Sequence, residues 1–151
     1  MTSVSDEVSE QPSGRALGLD LGDVRIGVAI SDPERRLAVP LGVVRTGAPA
    51  DLKAIRSLVA DNGVSLVVVG NPLLLSGERG DRARKAEEFA SALRAVLDVP
   101  VELQDERLST VEAERSLRES GAGAAERRSN VDRTAATVIL QAYLDAHRSR
   151  A

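Results

Sequence analysis

The segment from Val64 to Val69 constrains the fold more than any other part of the chain. It is an almost uninterrupted β-branched run, VSLVVV, preceded by the stop signal Asn62-Gly63. A strand of that composition has no face to give to water, so it belongs inside a sheet that is covered on both sides. Its neighbours supply the cover. Asp51 to Asn62 repeats apolar residues at helical spacing, with Leu52, Ile55, Leu58 and Val59 on one face. Asp81 to Leu97 does the same through Ala86, Phe89, Ala90, Leu93 and Leu97.

Upstream the period changes to that of strands. Three apolar runs, ALGLDLG, VRIGVAISD and LAVPLGVV, lie between Ala16 and Val44, separated by Gly22-Asp23 and by Asp32-Pro33-Glu34. Turn signals that short join antiparallel strands, so this part reads as a three-stranded meander, and Pro40 assigns the third strand to an edge. Downstream, Val99 to Leu103 reads as a short strand and Ser109 to Ser120 as a helix. Gly121 to Asn130 reads as a polar loop and Val131 to His147 as a last helix. The expected fold class is α/β: a five-stranded mixed sheet, antiparallel meander first and parallel strands after it, flanked by helices. One domain over residues 15–147 accounts for the 151-residue length. Residues 1–14, polar and acidic, read as a disordered tail, and 148–151 as a frayed end.

Composition then removes several kinds of chemistry. With no Cys and a single His, His147, thiolate and His-cluster metal centres have no ligands, and a Ser-His-Asp triad has little to be built from. Phe89 and Tyr143 are the whole aromatic content, too little for a base-stacking platform. Of the 20 basic residues, 18 are Arg, whose fork suits phosphate, yet the net charge is −3 and there is no global basic footprint. Apolar runs reach about five residues against the ~20 of a membrane span. No leader segment is legible either, so the expected location is the cytoplasm, with no membrane partner.

What remains is a set of carboxylates at the ends of elements. Asp20 lies inside an apolar strand, where a charge is costly unless it is paired, solvated in a cleft or bound to a cation. Asp105 and Glu106 follow the strand that starts at Val99, and Asp132 opens the last helix. Oxygen-only ligands suit Mg2+ or Mn2+. Two such ions about 3.5–4 Å apart serve in-line attack at a phosphodiester without Cys or His. Each acid also has a plainer reading. Asp132 complements a helix dipole behind a Ser129 or Asn130 cap, Ser109 and Glu112 form a capping box, and Glu106 joins a surface ion pair with Arg107. Asp20-Leu21-Gly22 followed by Gly27 also spells D-x-G-x-x-x-x-G, the phosphate-wrapping hairpin of actin-like ATPases and sugar kinases. Those folds place two such domains around the nucleotide.

The segments LGLDLGDVRIGVAISD, VVVGNPLLLSG, DERLSTVEAE and NVDRTAATVILQAYLD, in that order, resemble the YqgF/RuvX family of bacterial proteins. The resemblance covers Ala16 to about Leu144. It implies a ribonuclease H-like fold and activity as a pre-16S rRNA nuclease or a Holliday junction resolvase. Carried over residue by residue, it implies a catalytic trio of Asp20, Glu106 and Asp132 holding one or two divalent ions, Mg2+ or Mn2+, with Asp105 as an orienting partner. Arg25 and Arg107 become phosphate or ion-pair residues. Around the central loop stand Arg79, Arg82, Arg84 and Lys85, and around the last acid Arg127, Arg128 and Arg133, an expected phosphate-tracking rim. Leu73-Leu74-Leu75 stands where the family pattern is polar. The expected partner is a structured pre-rRNA, or branched DNA if the chain works as a homodimer. A catalytically silent nucleic-acid-binding module is the reading from another class.

Overall fold

The computed structural model describes residues 14–72, 80–105 and 134–148. Strands β1 (Arg15–Leu21), β2 (Arg25–Ser31), β3 (Ala38–Arg45), β4 (Val64–Asn71) and β5 (Val101–Asp105) form one sheet in the order β3-β2-β1-β4-β5. Helices α1 (Ala50–Asp61), α2 (Asp81–Val96) and α3 (Ala135–Arg148) pack on it. The first three strands are antiparallel, and β4 and β5 add on in parallel to β1. This is the mixed sheet that the change of period implied, with Pro40 on the edge strand.

Local chemistry sets the turn between β2 and β3. The Asp32 carbonyl accepts from Arg35 N at 2.9 Å, and Asp32 Oδ1 accepts from the backbone N–H groups of Arg36 (2.7 Å) and Leu37 (2.9 Å). Those N–H donors hold the Asp32 carboxyl below the usual carboxylate range. Arg35 takes a left-handed φ of 59°, a strained conformation for a side chain of its size. Its guanidinium offsets that strain by donating to the Gly14 carbonyl (3.1 Å) and to Ser65 Oγ (2.7 Å).

Alternation along the strands divides the core in two. Leu17, Leu19, Ile26, Val28, Val67 and Val69 face α1 and α2, where Ile55, Ala86, Ala90 and Leu93 meet them. Ala16, Ala29, Leu66 and Val68 face α3 and pack on Ala136, Ile139, Leu140 and Tyr143. Val67, Val68 and Val69 are fully buried, as a strand covered on both faces must be. The α3 face of β1 is built from small residues, and Gly18 is the closest approach. A Cβ there would lie 2.7 Å from Leu140 Cβ and 3.2 Å from the Ala136 carbonyl oxygen. Polar pins hold the helix in register. Gln141 accepts from Ala38 N (2.8 Å) and donates to the Arg36 carbonyl (3.0 Å), and the Tyr143 hydroxyl donates to Glu102 Oε1 (2.6 Å). His147, exposed near the helix end, stacks on the Tyr143 ring at 3.8 Å.

Two strands differ from the sequence reading. β4 continues past Val69 to Asn71, and β5 spans Val101–Asp105 rather than Val99 to Leu103. Pairing explains both shifts: Gly70 lies opposite Gln104 and Asn71 opposite Asp105, because backbone hydrogen bonds are indifferent to side-chain polarity. The helix expected over Ser109 to Ser120 and the loop to Asn130 lie outside the described residues. So do the N-terminal tail, except Gly14, and residues 149–151. Among the described residues no helix is long and apolar enough to cross a membrane.

Gly18→Ala should therefore destabilise the protein by about 1–3 kcal/mol, the usual scale of overpacking. A downward shift of the urea midpoint, followed by far-UV circular dichroism because the chain has no Trp, measures it. An unchanged midpoint would show that α3 can step back freely.

Candidate active site

Asp20 is the sixth residue of β1 and shares the α3 face with Ala16 and Gly18. Across the ladder it is opposite Gly27 of β2. A Cβ at Gly27 would sit 3.8 Å from Asp20 Cβ and 3.7 Å from Ala136 Cβ, so the first turn of α3 comes down beside the acid with a glycine between them. The carboxylate is half-buried and has no hydrogen-bond or ion-pair partner among the described residues. Burial pushes its carboxyl above the ordinary range, and the charge of Arg82 pulls it back in part. A lone anion there is a cost that a hard cation would relieve. Carboxylate oxygens are the ligand type that hard cations such as Mg2+ and Mn2+ take. Asn71 Oδ1, buried at the end of β4, is a second oxygen acceptor without a donor among the described residues.

The other sequence-derived residues fall in three groups. Glu106, Asp132, Arg79, Arg107, Arg127, Arg128 and Arg133 lie outside the described residues. Among the described residues no three acidic or histidine side chains gather into a metal-sized cluster. Asp105 ends β5 opposite Asn71, and alternation puts it with Val101 and Leu103 on the α2 side of the sheet. Arg25 is exposed at the start of β2, paired across the ladder with Arg45. Arg82 is brought to Asp20.

Arg82 lines a cleft of about 300 Å³ at the carboxyl ends of β1 and β4, between the N-terminal ends of α1 and α2. Asp20 lies at its margin, Leu21, Ile26 and Phe89 form apolar wall, and Lys85 follows Arg82 by one helical turn. Arg84 is used elsewhere, bonded to Asp81 at 2.9 Å on the exposed side of α2. Thr46 closes the hairpin end: its hydroxyl donates to the Gly22 carbonyl (2.8 Å) and its N–H to the Val24 carbonyl (3.0 Å). Gly22 is itself required by space, since a Cβ would lie 2.5 Å from the Arg25 carbonyl oxygen.

Sequence reasoning missed two lining residues. Asp51 is only 4% exposed, with Oδ2 accepting from Gly47 N (3.0 Å) and Oδ1 from Leu52 N (2.7 Å). From sequence it is an acid in a first helical turn, a position that the helix dipole already explains. Phe89 has core-facing spacing yet is only partly buried, its remaining surface open to the cleft. Neither residue carries a local signal that would have separated it from its ordinary role.

The mixed five-stranded sheet, in the order β3-β2-β1-β4-β5 with helices packed on it, is a ribonuclease H-like fold. The sequence profile of the RuvX family, described as Holliday junction resolvase, matches residues 14–146, and the chain belongs to that family. It is 50% identical over 134 residues to a Chloroflexus aggregans protein named "Putative pre-16S rRNA nuclease", covering 88% of this chain and 94% of that one. A relative of the same name from Anaeromyxobacter dehalogenans is 51% identical over 132 residues, covering 87% and 96%. Among solved structures, Thermus thermophilus RuvC has the same fold, with a TM-score of 0.53 at 15% identity over 89% of this chain and 96% of that one.

Asp20→Asn should stabilise the ion-free protein near neutral pH. Folding raises the Asp20 pKa, so wild type loses stability as pH climbs from the unfolded value, about 3.9, through the folded one, and the amide does not. Urea unfolding in EDTA should give a gain for the variant at about pH 7 that vanishes below about pH 4. A variant less stable than wild type at pH 7 would mean that the carboxylate is held by partners rather than strained.

Proposed function

We propose that this protein is a divalent-metal-dependent nuclease that hydrolyses phosphodiester bonds in the 5′-end processing of pre-16S rRNA. The observation that carries the reading is the half-buried Asp20 carboxylate of β1, without a partner among the described residues and beside the first turn of α3. The chain around it is half identical to relatives named for that activity. In this reading Asp20, Glu106 and Asp132 hold one or two Mg2+ or Mn2+ ions. Such ions, when bound, supply Lewis-acid stabilisation of the charge that develops on the attacking and leaving oxygens. The protein's own part is positional. The ladder of β1 fixes the backbone of Asp20, and Arg82 lies near enough to offer its positive charge to a phosphate oxygen. Arg127 and Arg128, just before Asp132 in the chain, extend the phosphate contacts. The place of action is the cytoplasm, where bacterial ribosomal RNA is made.

A second reading has its own support. The family is described as Holliday junction resolvase, and a RuvC with a four-way junction bound shares the fold at a TM-score of 0.51. The chemistry would be unchanged, but symmetric resolution needs a homodimer presenting two sites to opposed strands.

The deciding experiment offers a labelled pre-16S 5′ leader and an immobile four-way DNA junction to the full chain, with Mg2+, Mn2+ or EDTA. The expected result is metal-dependent cutting of the RNA, reduced at least about a hundredfold in Asp20→Asn and Glu106→Gln. Paired symmetric nicks in the junction would move the assignment to resolvase. Binding without cutting under every metal would overturn the hydrolytic reading in favour of a silent binding module. Separately, Arg127→Glu with Arg128→Glu should weaken RNA binding and lower the slope of log K against log salt by between about one and two. An unchanged slope would remove both residues from the phosphate rim.

A further inference from the structure

We infer that the cleft between the N-terminal ends of α1 and α2 is a subsite for a single nucleotide of the substrate, the one adjoining the scissile phosphate. The inference rests on the nuclease reading for the identity of the polymer and on the cleft itself for everything else. Its volume, about 300 Å³, is at the scale of one small-molecule unit and far below that of a duplex. Its lining joins basic and apolar groups, as a nucleotide joins phosphate and base. On α2, Arg82 and Lys85 lie a helical turn apart, exposed and without ion-pair partners among the described residues. Arg84, two residues after Arg82, has its charge taken up by Asp81. Phe89, one turn further along the same face of α2, adds a partly buried ring for the flat face of a base, and Leu21 of β1 also lines the cleft.

Asp51 also lines the cleft, but it is buried and both of its oxygens accept backbone N–H groups, so it fixes the entry to α1. Discrimination between nucleotide and inorganic phosphate therefore falls to the Phe89 ring. Asp20 lines the same cleft as Arg82. A nucleotide seated with its phosphate on Arg82 therefore lies directly beside the acid. Phe89, the only Phe in the chain, sits here rather than in the centre of the core. Substrate is thus read in part by one unstacked base, although the chain has too few aromatic residues for a platform.

The test is calorimetric titration of AMP, UMP and inorganic phosphate into the full chain at low salt in EDTA, so that no metal is needed. Both nucleotides should bind at least about tenfold tighter than phosphate. Phe89→Leu, which keeps an apolar residue in the core position, should weaken the nucleotides about fivefold or more and leave phosphate unchanged. Arg82→Ala and Lys85→Ala should weaken all three, and Lys53→Ala on the exposed side of α1 should weaken none. Equal affinity for nucleotide and phosphate, or no effect of Phe89→Leu, would overturn the subsite. The two readings fail separately. Nucleotide binding with this pattern but no cleavage of any substrate would sink the nuclease and keep the cleft. Cleavage with wild-type KM in Phe89→Leu and Lys85→Ala would keep the nuclease and sink the cleft.

Discussion

Helix α3 lies on β1 at a place where a single methyl group would not fit. Position 18 has room for hydrogen alone, since Leu140 and the Ala136 carbonyl occupy the space that a Cβ would need. That approach closes the second core, in which Ala16, Ala29 and Val68 meet Ile139, Leu140 and Tyr143. It also decides what stands next to Asp20. With the helix drawn down onto Gly18, its first turn reaches Gly27 and the acid that faces it. A bulkier β1 would hold α3 off the sheet and leave Asp20 to water, where a carboxylate is ordinary.

The same packing makes Asp20 expensive. Its neighbours in β1 are buried apolar residues, it has no donor among the described residues, and its ionised form is disfavoured by burial. Stability alone would not retain such a group. A negative charge raised in energy by its surroundings is also one that a cation or a phosphate-bound ion stabilises most, so strain and binding have one physical origin. Asp32 shows the opposite case: set in a turn, fed by two backbone N–H groups, and held below the usual range. Identical side chains thus differ in energy according to whether donors surround them.

Much of this was legible before any coordinates. The VSLVVV run demanded cover on both faces, and Val67 to Val69 have it. The two short turns demanded antiparallel neighbours, and β1 to β3 are so arranged. Asp20 was conspicuous because a charge in an apolar strand contradicts its setting. Less legible were features whose local explanation is complete. Gln104 and Asp105 look like the start of a loop, yet they pair with Gly70 and Asn71 because the ladder is made by backbone. Asp51 looks like a dipole complement and Phe89 like core, and each is so in part.

By itself the sequence determined the elements, their order, the double burial of β4 and the singular position of Asp20. All of these follow from residue type and spacing along the chain, which short-range sterics and the cost of burying charge convert directly into structure. Tertiary structure alone decided that Arg82 rather than Arg84 lines the cleft with the acid, and that Asp51 and Phe89 line it too. It also decided that Asp105 stands opposite Asn71 at the end of the sheet. These outcomes depend on helix rotation, strand register and the distance between packed surfaces. Such quantities are set by the fit of side chains far apart in sequence, and no local pattern records them.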